Sequence, residues 1–164
     1  MNEISPKNFS DAFKIIGEDW MLITAEKEGK VNTMTASWGG LGVFCAKNVA
    51  FVFIRPQRYT KEFIDNSDTF SLSFLPDNYR EQLSYLGKVS GRNEDKIKNC
   101  DLTVSHIDDT PYFDEANTVV ICKKMCEIDM NENSFIQKDL CDKFFKDNDF
   151  HTLYIAEIQK VITK

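Results

Sequence analysis

The chain has 164 residues, with 26 acidic against 20 basic side chains and a formal net charge of −6. That length suits one domain. The acidic balance argues against nucleic acid or an anionic membrane surface as a partner, since both select a basic footprint. Hydrophobic residues at 42%, with 13 Phe, 5 Tyr and 2 Trp, supply a packed core and exclude the composition of a disordered segment.

The first predicted element is a short helix from Phe9 to Gly17, with Phe9, Phe13 and Ile16 on one face and Gly17 as its stop. The period then changes to two. Trp20 to Ala25 is a strand, Glu28-Gly29-Lys30 a turn and Val31 to Trp38 a second strand. Gly39, Gly40 and Gly42 interrupt that ribbon, which signals a bulge or a close backbone approach. Val49 to Ile54 is almost wholly apolar and reads as a strand buried on both faces. Thr60 opens a helix over Lys61 to Asn66. Thr69 to Leu75 alternates Phe70, Leu72 and Phe74 with Ser71 and Ser73, the pattern of a half-buried strand. Tyr79 to Leu86 and Glu94 to Asn99 read as helices, separated by a loop from Lys88 to Asn93 in which Asn93 caps the second helix. Leu102 to Ile107, Thr118 to Ile128 and Phe150 to Ile162 are three further strands, with a helix from Lys138 to Lys146 before the last. Seven or so strands with short helices and tight turns fit a mainly β, mixed-to-antiparallel barrel better than a βαβ sheet. No G-x-G-x-x-G follows a strand, so a Rossmann dinucleotide site is not supported.

No repeat, low-complexity tract or linker divides the chain, so a single domain over residues 1–164 is expected. The longest uncharged stretch, Val31 to Ala46, carries polar residues and glycines and falls short of the roughly 20 apolar residues of a membrane span. The N-terminus has neither a basic nor an apolar leader region, and the expectation is a soluble, cytoplasmic protein. Five cysteines give an odd count. Cys122 and Cys126 form a C-x3-C pair without a neighbouring His, so reduced thiols and no metal site are expected.

The stretch richest in chemistry is Arg55-Pro56-Gln57-Arg58-Tyr59-Thr60. Two guanidiniums beside a hydroxyl at a helix start are the parts of a phosphate site. The plainer reading is a capping Thr60 with solvated Arg55 and Arg58. A second basic loop, Lys88-Val89-Ser90-Gly91-Arg92-Asn93, either closes over the same anion or is an ordinary surface turn. The small and hydroxyl side chains from Asn32 to Ser37 let a flat ligand lie against a strand, with Trp38 as a wall. They also suit the wet face of any strand. Phe144, Phe145 and Phe150 read as packing residues.

Asn32-Thr33-Met34-Thr35-Ala36-Ser37-Trp38-Gly39-Gly40, followed by Arg55-Pro56-x-Arg58-Tyr59-Thr60, closely resembles the flavin reductase-like family of FMN-binding split β-barrels, which includes flavoredoxin. The run Ser90-Gly91-Arg92-x-x-Asp95-Lys96 fits a third segment of that family. Asp149-Phe150-His151-Thr152-x-Tyr154-x-Ala156-Glu157 resembles its final strand, with Ala156 where a Gly is usual. The resemblance implies an FMN-binding split β-barrel with short peripheral helices. It implies that the strand with Asn32, Thr33, Met34, Thr35 and Ala36 runs beside the isoalloxazine, with Ser37 and Trp38 at its far end. Arg58, Tyr59 and Thr60 would hold the phosphate, and Lys88, Ser90 and Arg92 would meet the ribityl-phosphate end. A homodimer with each flavin near the interface is also implied. The activity implied is an FMN-dependent oxidoreductase passing hydride from NAD(P)H to flavin and on to a small-molecule or protein acceptor. The alternative is an FMN-containing electron-transfer protein without NAD(P)H activity. His151 is the one candidate for a proton or nicotinamide contact; otherwise it is a backbone-bonded histidine at a strand start.

Overall fold

The computed structural model of the chain describes residues 2–5 and 11–164. Its strands are β1 (Asn2–Ile4), β2 (Met21–Lys27), β3 (Lys30–Ala36), β4 (Gly39–Phe44), β5 (Lys47–Ile54), β6 (Thr69–Phe74), β7 (Val104–Ile107), β8 (Thr110–Phe113), β9 (Thr118–Asp129) and β10 (Thr152–Thr163). The helices are α1 (Tyr59–Asp65), α2 (Arg80–Lys88), α3 (Lys96–Asn99) and α4 (Asp139–Phe144), with a π-helical turn at Phe13–Glu18. Every strand pairing is antiparallel.

The main sheet runs β3-β2-β6-β9-β10-β5-β4, with β1 added on β10, and β7-β8 forms a separate ribbon. The two ends of that path, β3 and β4, are joined in the chain by Ser37 and Trp38 alone. Laid flat, seven strands would hold their outer edges roughly 29 Å apart at about 4.8 Å per interval. Three peptide steps span about 10 Å at most. The sheet therefore curls until its edges meet at Ser37-Trp38, and the barrel is split along the seam between β3 and β4.

Three two-residue hairpins set the register. Glu28-Gly29, Cys45-Ala46 and Asp108-Asp109 all have positive φ at both positions, the geometry that matches the right-handed twist of paired strands. Only the first carries the glycine that announces it, and neither β4, β7-β8 as a ribbon nor β1 was expected.

The barrel interior is filled by Met21, Ile23, Met34, Val52, Ile54, Phe70, Leu72, Val120 and Tyr154, with Phe63 and Ile64 of α1 closing one end. A second cluster, including Leu22, Leu83, Leu86, Leu102 and Phe113, lies outside β2 and β6 under α2 and the β7-β8 ribbon. That outer layer corrects the reading of β6 as half-buried: Ser71 and Ser73 are fully buried, and Ser71 donates to the Pro111 carbonyl at 2.6 Å. Conversely, β5 is not buried on both faces. Val52 and Ile54 are buried, while Phe51 and Phe53 are half-buried on the outer side.

Phe9 lies outside the described residues. Phe13 is 94% exposed while Ile16 is buried, because an i→i+5 turn does not bring residues three apart onto one face. The turn runs to Glu18, past Gly17. α2 extends to Lys88, and the cap of α3 is Asp95, whose carboxylate accepts from the Lys98 N–H, and not Asn93.

Phe51 explains the glycines. A Cβ on Gly39 would stand 2.6 Å from the Phe51 carbonyl, and one on Gly42 would press on its ring at 3.2 Å. The Phe51 ring lies over the Gly40 and Gly42 positions of β4. Gly39→Ala should therefore lose about 1–3 kcal/mol in urea unfolding, while Gly17→Ala, with open space around it, should change stability by less than about 0.5 kcal/mol. Equal losses would remove the close approach as the reason for Gly39.

Candidate functional site

At the seam, a pocket of about 300 Å³ is lined by Met34, Thr35, Ala36, Ser37, Trp38, Phe53, Arg55, Gln57, Arg58 and His151. That volume stands at the lower bound of small-molecule sites. Its wall is β3, which ends the sheet path and so has one backbone edge free of strand partners. The Thr35 carbonyl faces that edge, because Arg58 Nη2 reaches it at 3.4 Å. N–H and C=O of one residue point the same way in an antiparallel strand, so Thr35 offers an amide there as well.

The side chains of β3 do not serve the pocket as the sequence suggested. Thr33 is fully buried, donates to the Ile23 carbonyl at 3.0 Å and meets Thr24 Oγ1. Thr35 Oγ1 donates to the Leu83 carbonyl of α2 at 2.6 Å. Asn32 is buried and donates to Thr60 Oγ1 at 2.9 Å. Thr60 is not the helix cap; α1 starts at Tyr59 with Arg58 in the cap position, and Thr60 stands inside the first turn as the partner of Asn32. Met34, Ala36, Ser37 and Trp38 do reach the pocket.

The arginines divide. Arg55 pairs with Asp149 and donates to the Phe144 carbonyl at 3.1 Å, so it is not free. Gln57 donates to the same carboxylate at 2.9 Å. Burial would push the Asp149 carboxyl up, but the bonds from Gln57 and Arg55 hold it below its usual range. Arg58 has no carboxylate partner among the described residues. Its Nη1 donates to the Gly87 carbonyl at 2.6 Å, and burial, then the nearby Arg55 charge, lower its pKa. A guanidinium stays charged under such pressure. A half-buried cation met only by carbonyls favours an anion in the adjoining pocket.

The loop after α2 does lie against the Arg55–Thr60 turn. Arg92 Nη1 donates to the Gln57 carbonyl at 3.3 Å, its guanidinium lies 4.5 Å above the Tyr59 ring, and it pairs with Glu62. Gly91 packs on Asn32, where a Cβ would meet Oδ1 at 2.3 Å. Ser90 Oγ accepts from the Arg92 N–H, and Lys88 is exposed at the end of α2. Tyr59 stacks edge-on against Phe63 and sits under Lys30 as well. Lys30, Asn32, Gly91 and Arg92 line a separate cavity of about 630 Å³, and none of Lys88, Ser90, Arg92, Tyr59 and Thr60 lines the seam pocket.

His151 precedes β10 and is buried between Trp38 at 5.4 Å, Phe145 at 5.4 Å and Phe53 at 6.3 Å between ring centres. Its main-chain carbonyl accepts from the Met130 N–H at 3.0 Å, and its ring lines the pocket. Burial, then Arg55 and Arg58 against the counter-pull of Asp149, lower its pKa to about 4. The ring is neutral at pH 7. Phe144 meets Trp38 edge-on at 5.5 Å, and Phe145 stacks on Phe150 at 5.2 Å, so these aromatic residues pack behind Trp38 and His151 and do not line the pocket. Phe53, Gln57, Gly87 and Asp149 were not among the residues expected at the site. Only Gln57 and Asp149 lay inside stretches the sequence marked.

The thiols stand apart from this chemistry. Cys122 is fully buried, and burial alone pushes its thiol well up. Among the described residues no three of His, Cys, Asp and Glu come together as a metal set. No helix among them is long and apolar enough to cross a membrane.

Fold and site together define an antiparallel split barrel with a ligand pocket at its seam and an unneutralised arginine beside it. The chain belongs to the flavin reductase like domain family, whose pattern it matches over residues 15–164. Among solved structures it is similar to a flavoredoxin from Methanosarcina acetivorans, with a TM-score of 0.71, 20% identity, and coverage of 89% of this chain and 68% of that one. It is also similar to an FMN-binding domain of a flavin reductases-like enzyme from Shewanella baltica, with a TM-score of 0.71, 19% identity, and coverage of 98% and 75%. An uncharacterized protein of Aeropyrum pernix is 30% identical over 103 residues, 61% of this chain. The chain matches only 39% of that relative's length.

The His151 environment has a measurable consequence. A histidine whose folded pKa lies below its unfolded value of about 6.5 binds more protons when unfolded. Its contribution is complete above that pH and is lost as pH falls toward 4. The loss amounts to at most about 3 kcal/mol. His151→Phe should flatten the fall in urea stability between pH 6.5 and 4 relative to the wild type. Parallel profiles would mean that the ring is not held neutral.

Proposed function

We propose that this protein is an FMN-dependent oxidoreductase of the flavin reductase type, passing hydride from NAD(P)H to flavin and on to a small-molecule or protein acceptor. The observation that carries the reading is Arg58, a half-buried guanidinium bonded only to the Thr35 and Gly87 carbonyls at the edge of the seam pocket. A flavin mononucleotide pairs a planar ring with a phosphate. The free edge of β3, the Trp38 wall and Arg58 fit those two parts. Thr35 would offer backbone groups to the ring's polar edge, and Trp38 and Phe53 would exclude water from its faces. Arg58 would receive the phosphate, with Arg92 and Tyr59 bordering it. FMN, when bound, supplies the hydride and electron chemistry. The chain holds and orients it, and neutral His151 offers a hydrogen bond without adding charge.

The second reading, a bound-FMN electron carrier without NAD(P)H activity, is favoured by the absence of a nucleotide-binding motif among the residues around the pocket. A homodimer is part of the proposal, because Val43 at 73% exposure and Phe44 leave apolar surface on the uncharged edge strand β4. Five free thiols support a cytoplasmic setting.

The test is the visible spectrum of the purified protein followed by anaerobic NADH or NADPH. Bleaching of a bound flavin, on a species sedimenting as a dimer, is expected. A flavin that stays oxidised selects the electron carrier, and no flavin uptake overturns both readings. Separately, Arg58→Ala should weaken FMN binding about tenfold or more, as expected for a charged hydrogen-bonded contact of roughly 1.5–3 kcal/mol. Riboflavin binding should change little. Equal losses for the two ligands would remove the phosphate assignment.

A further inference from the structure

β9 and β10 are antiparallel neighbours that pair from Asp129 and Thr152 onward. A two-residue turn would join them, yet residues 130–151 intervene. A connection longer than roughly 12–15 residues in a compact domain usually carries function. This strap is ordered from within. The capping box of Asn131 and Ser134 closes its first turn, Lys138 donates to the Glu132 carbonyl at 2.8 Å, and the Phe135, Phe145 and Phe150 rings pack together. Between Met130 and Phe150 the one buried residue is Phe145, and Ile136 is 99% exposed. With so little apolar surface to hold it down, the strap belongs to the part of a fold that opens at low cost.

Its ties to the barrel are concentrated at one place. Arg55 pairs with Asp149, donates to the Phe144 carbonyl and lies 5.6 Å from the Phe145 ring centre. Gln57 donates to the same carboxylate at 2.9 Å. Trp38 meets Phe144 and Phe145, and His151 meets Phe53. Arg55, Gln57, Trp38, Phe53 and His151 all line the seam pocket, so the strap backs the pocket wall without entering it. The Asp149 carboxylate sits on Arg55 as a ligand anion would. Arg55 is near enough to Arg58 to disfavour its charge. The pocket therefore has two places for an anion, one open at Arg58 and one filled from within.

We propose that the strap is a gate on the seam pocket, latched by Asp149 on Arg55 and Gln57, and that the phosphate or diphosphate of a nicotinamide nucleotide opens it by taking Arg55 from Asp149. This rests on the reading that FMN and a nicotinamide donor share the pocket. In the latched state the pocket is about 300 Å³, the lower bound for one small ligand, whereas hydride transfer sets two rings face to face. Release of the strap frees Trp38 and His151 to supply the room. FMN alone brings one phosphate, which Arg58 receives, and leaves the latch closed. Neutral pH leaves it closed as well, because the Asp149 carboxyl lies below its usual range despite its burial and the pair stays charged. A competing anion is what can part them.

The experiment is limited trypsin digestion of the full-length chain at fixed ionic strength, reading cleavage after Lys138, Lys143 and Lys146 in the strap. Cuts after Lys123 and Lys160, in β9 and β10, report opening of the barrel itself. The arms are no ligand, FMN, saturating inorganic diphosphate, and FMN with NAD+ or NADP+, the oxidised nucleotides being used to prevent turnover. Diphosphate, and FMN with a nucleotide, should each speed strap cleavage severalfold while the barrel cuts stay slow, and FMN alone should not. Asp149→Asn should be cut rapidly in the strap without any ligand and gain nothing from diphosphate. Asp149→Glu, which restores the carboxylate, should regain the ligand dependence. A wild-type strap cut at the same rate with and without diphosphate overturns the proposal, whether or not the variants fold. So does opening by FMN alone with nothing added by the nucleotide, since the latch would then answer the flavin phosphate. An Asp149→Asn chain cut in the barrel as fast as in the strap marks a purely structural ion pair and likewise overturns it. If the chain takes up no FMN, the function proposed above fails, and the diphosphate arm still decides the latch.

Discussion

The two-residue link between β3 and β4 is the constraint on which the rest of the structure depends. It joins the terminal strands of the sheet path, and so a sheet that could lie open must wrap until its edges approach. The link cannot hydrogen-bond the edges together over their length, so the barrel stays split. Everything that lines the pocket is a consequence of that split: the free edge of β3, Trp38 in the link itself, Phe53 on the outer face of β5, and His151 where β10 begins beside them. The glycines of β4 belong to the same constraint, because the Phe51 carbonyl and ring occupy the space their side chains would need.

Electrostatics then select among chemically similar residues. The chain carries six more acidic than basic side chains, and most cations near the seam have found an acid: Arg55 has Asp149, Arg92 has Glu62 and Lys61 has Asp65. Arg58 and Lys96 have none, and both are turned toward the carbonyl end of α2. In the reading proposed above, the half-buried Arg58, held apart from that acid, is where negative charge is received.

Much of the fold was legible because it follows from local rules. Period-two runs, and for β5 a continuous apolar run, located β2, β3, β5, β6, β9 and β10 to within a few residues. The resemblance carried by Asn32–Gly40 and Arg55–Thr60 gave the barrel and its family. What stayed hidden was decided at a distance. Cys45-Ala46 and Asp108-Asp109 make the same tight turn as Glu28-Gly29, but no glycine marks them, since the strands they join impose the positive φ. The burial of Ser71 and Ser73 depends on α2 and the β7-β8 ribbon arriving from later in the sequence. At the site, hydroxyls that looked available to a ligand are spent inside the fold: Thr33 on Ile23, Thr35 on Leu83 and Thr60 on Asn32. Residue type identified the right segments. Which face of each segment met the pocket was set by partners far away in sequence.

The position of β10 has a further consequence for how the chain becomes a barrel. It follows every other strand in sequence, yet it lies in the middle of the sheet, paired to β9, β5 and β1. Until residues 152–163 leave the ribosome, β4-β5 on one side and β9, β6, β2 and β3 on the other are two separate ribbons, each exposing an unsatisfied inner edge. Assembly is therefore gated by the last strand made rather than by the first turns formed. During that interval the half-built sheet offers edges on which another chain could template, so a nascent polypeptide stalled before Thr152 is a natural client for a chaperone.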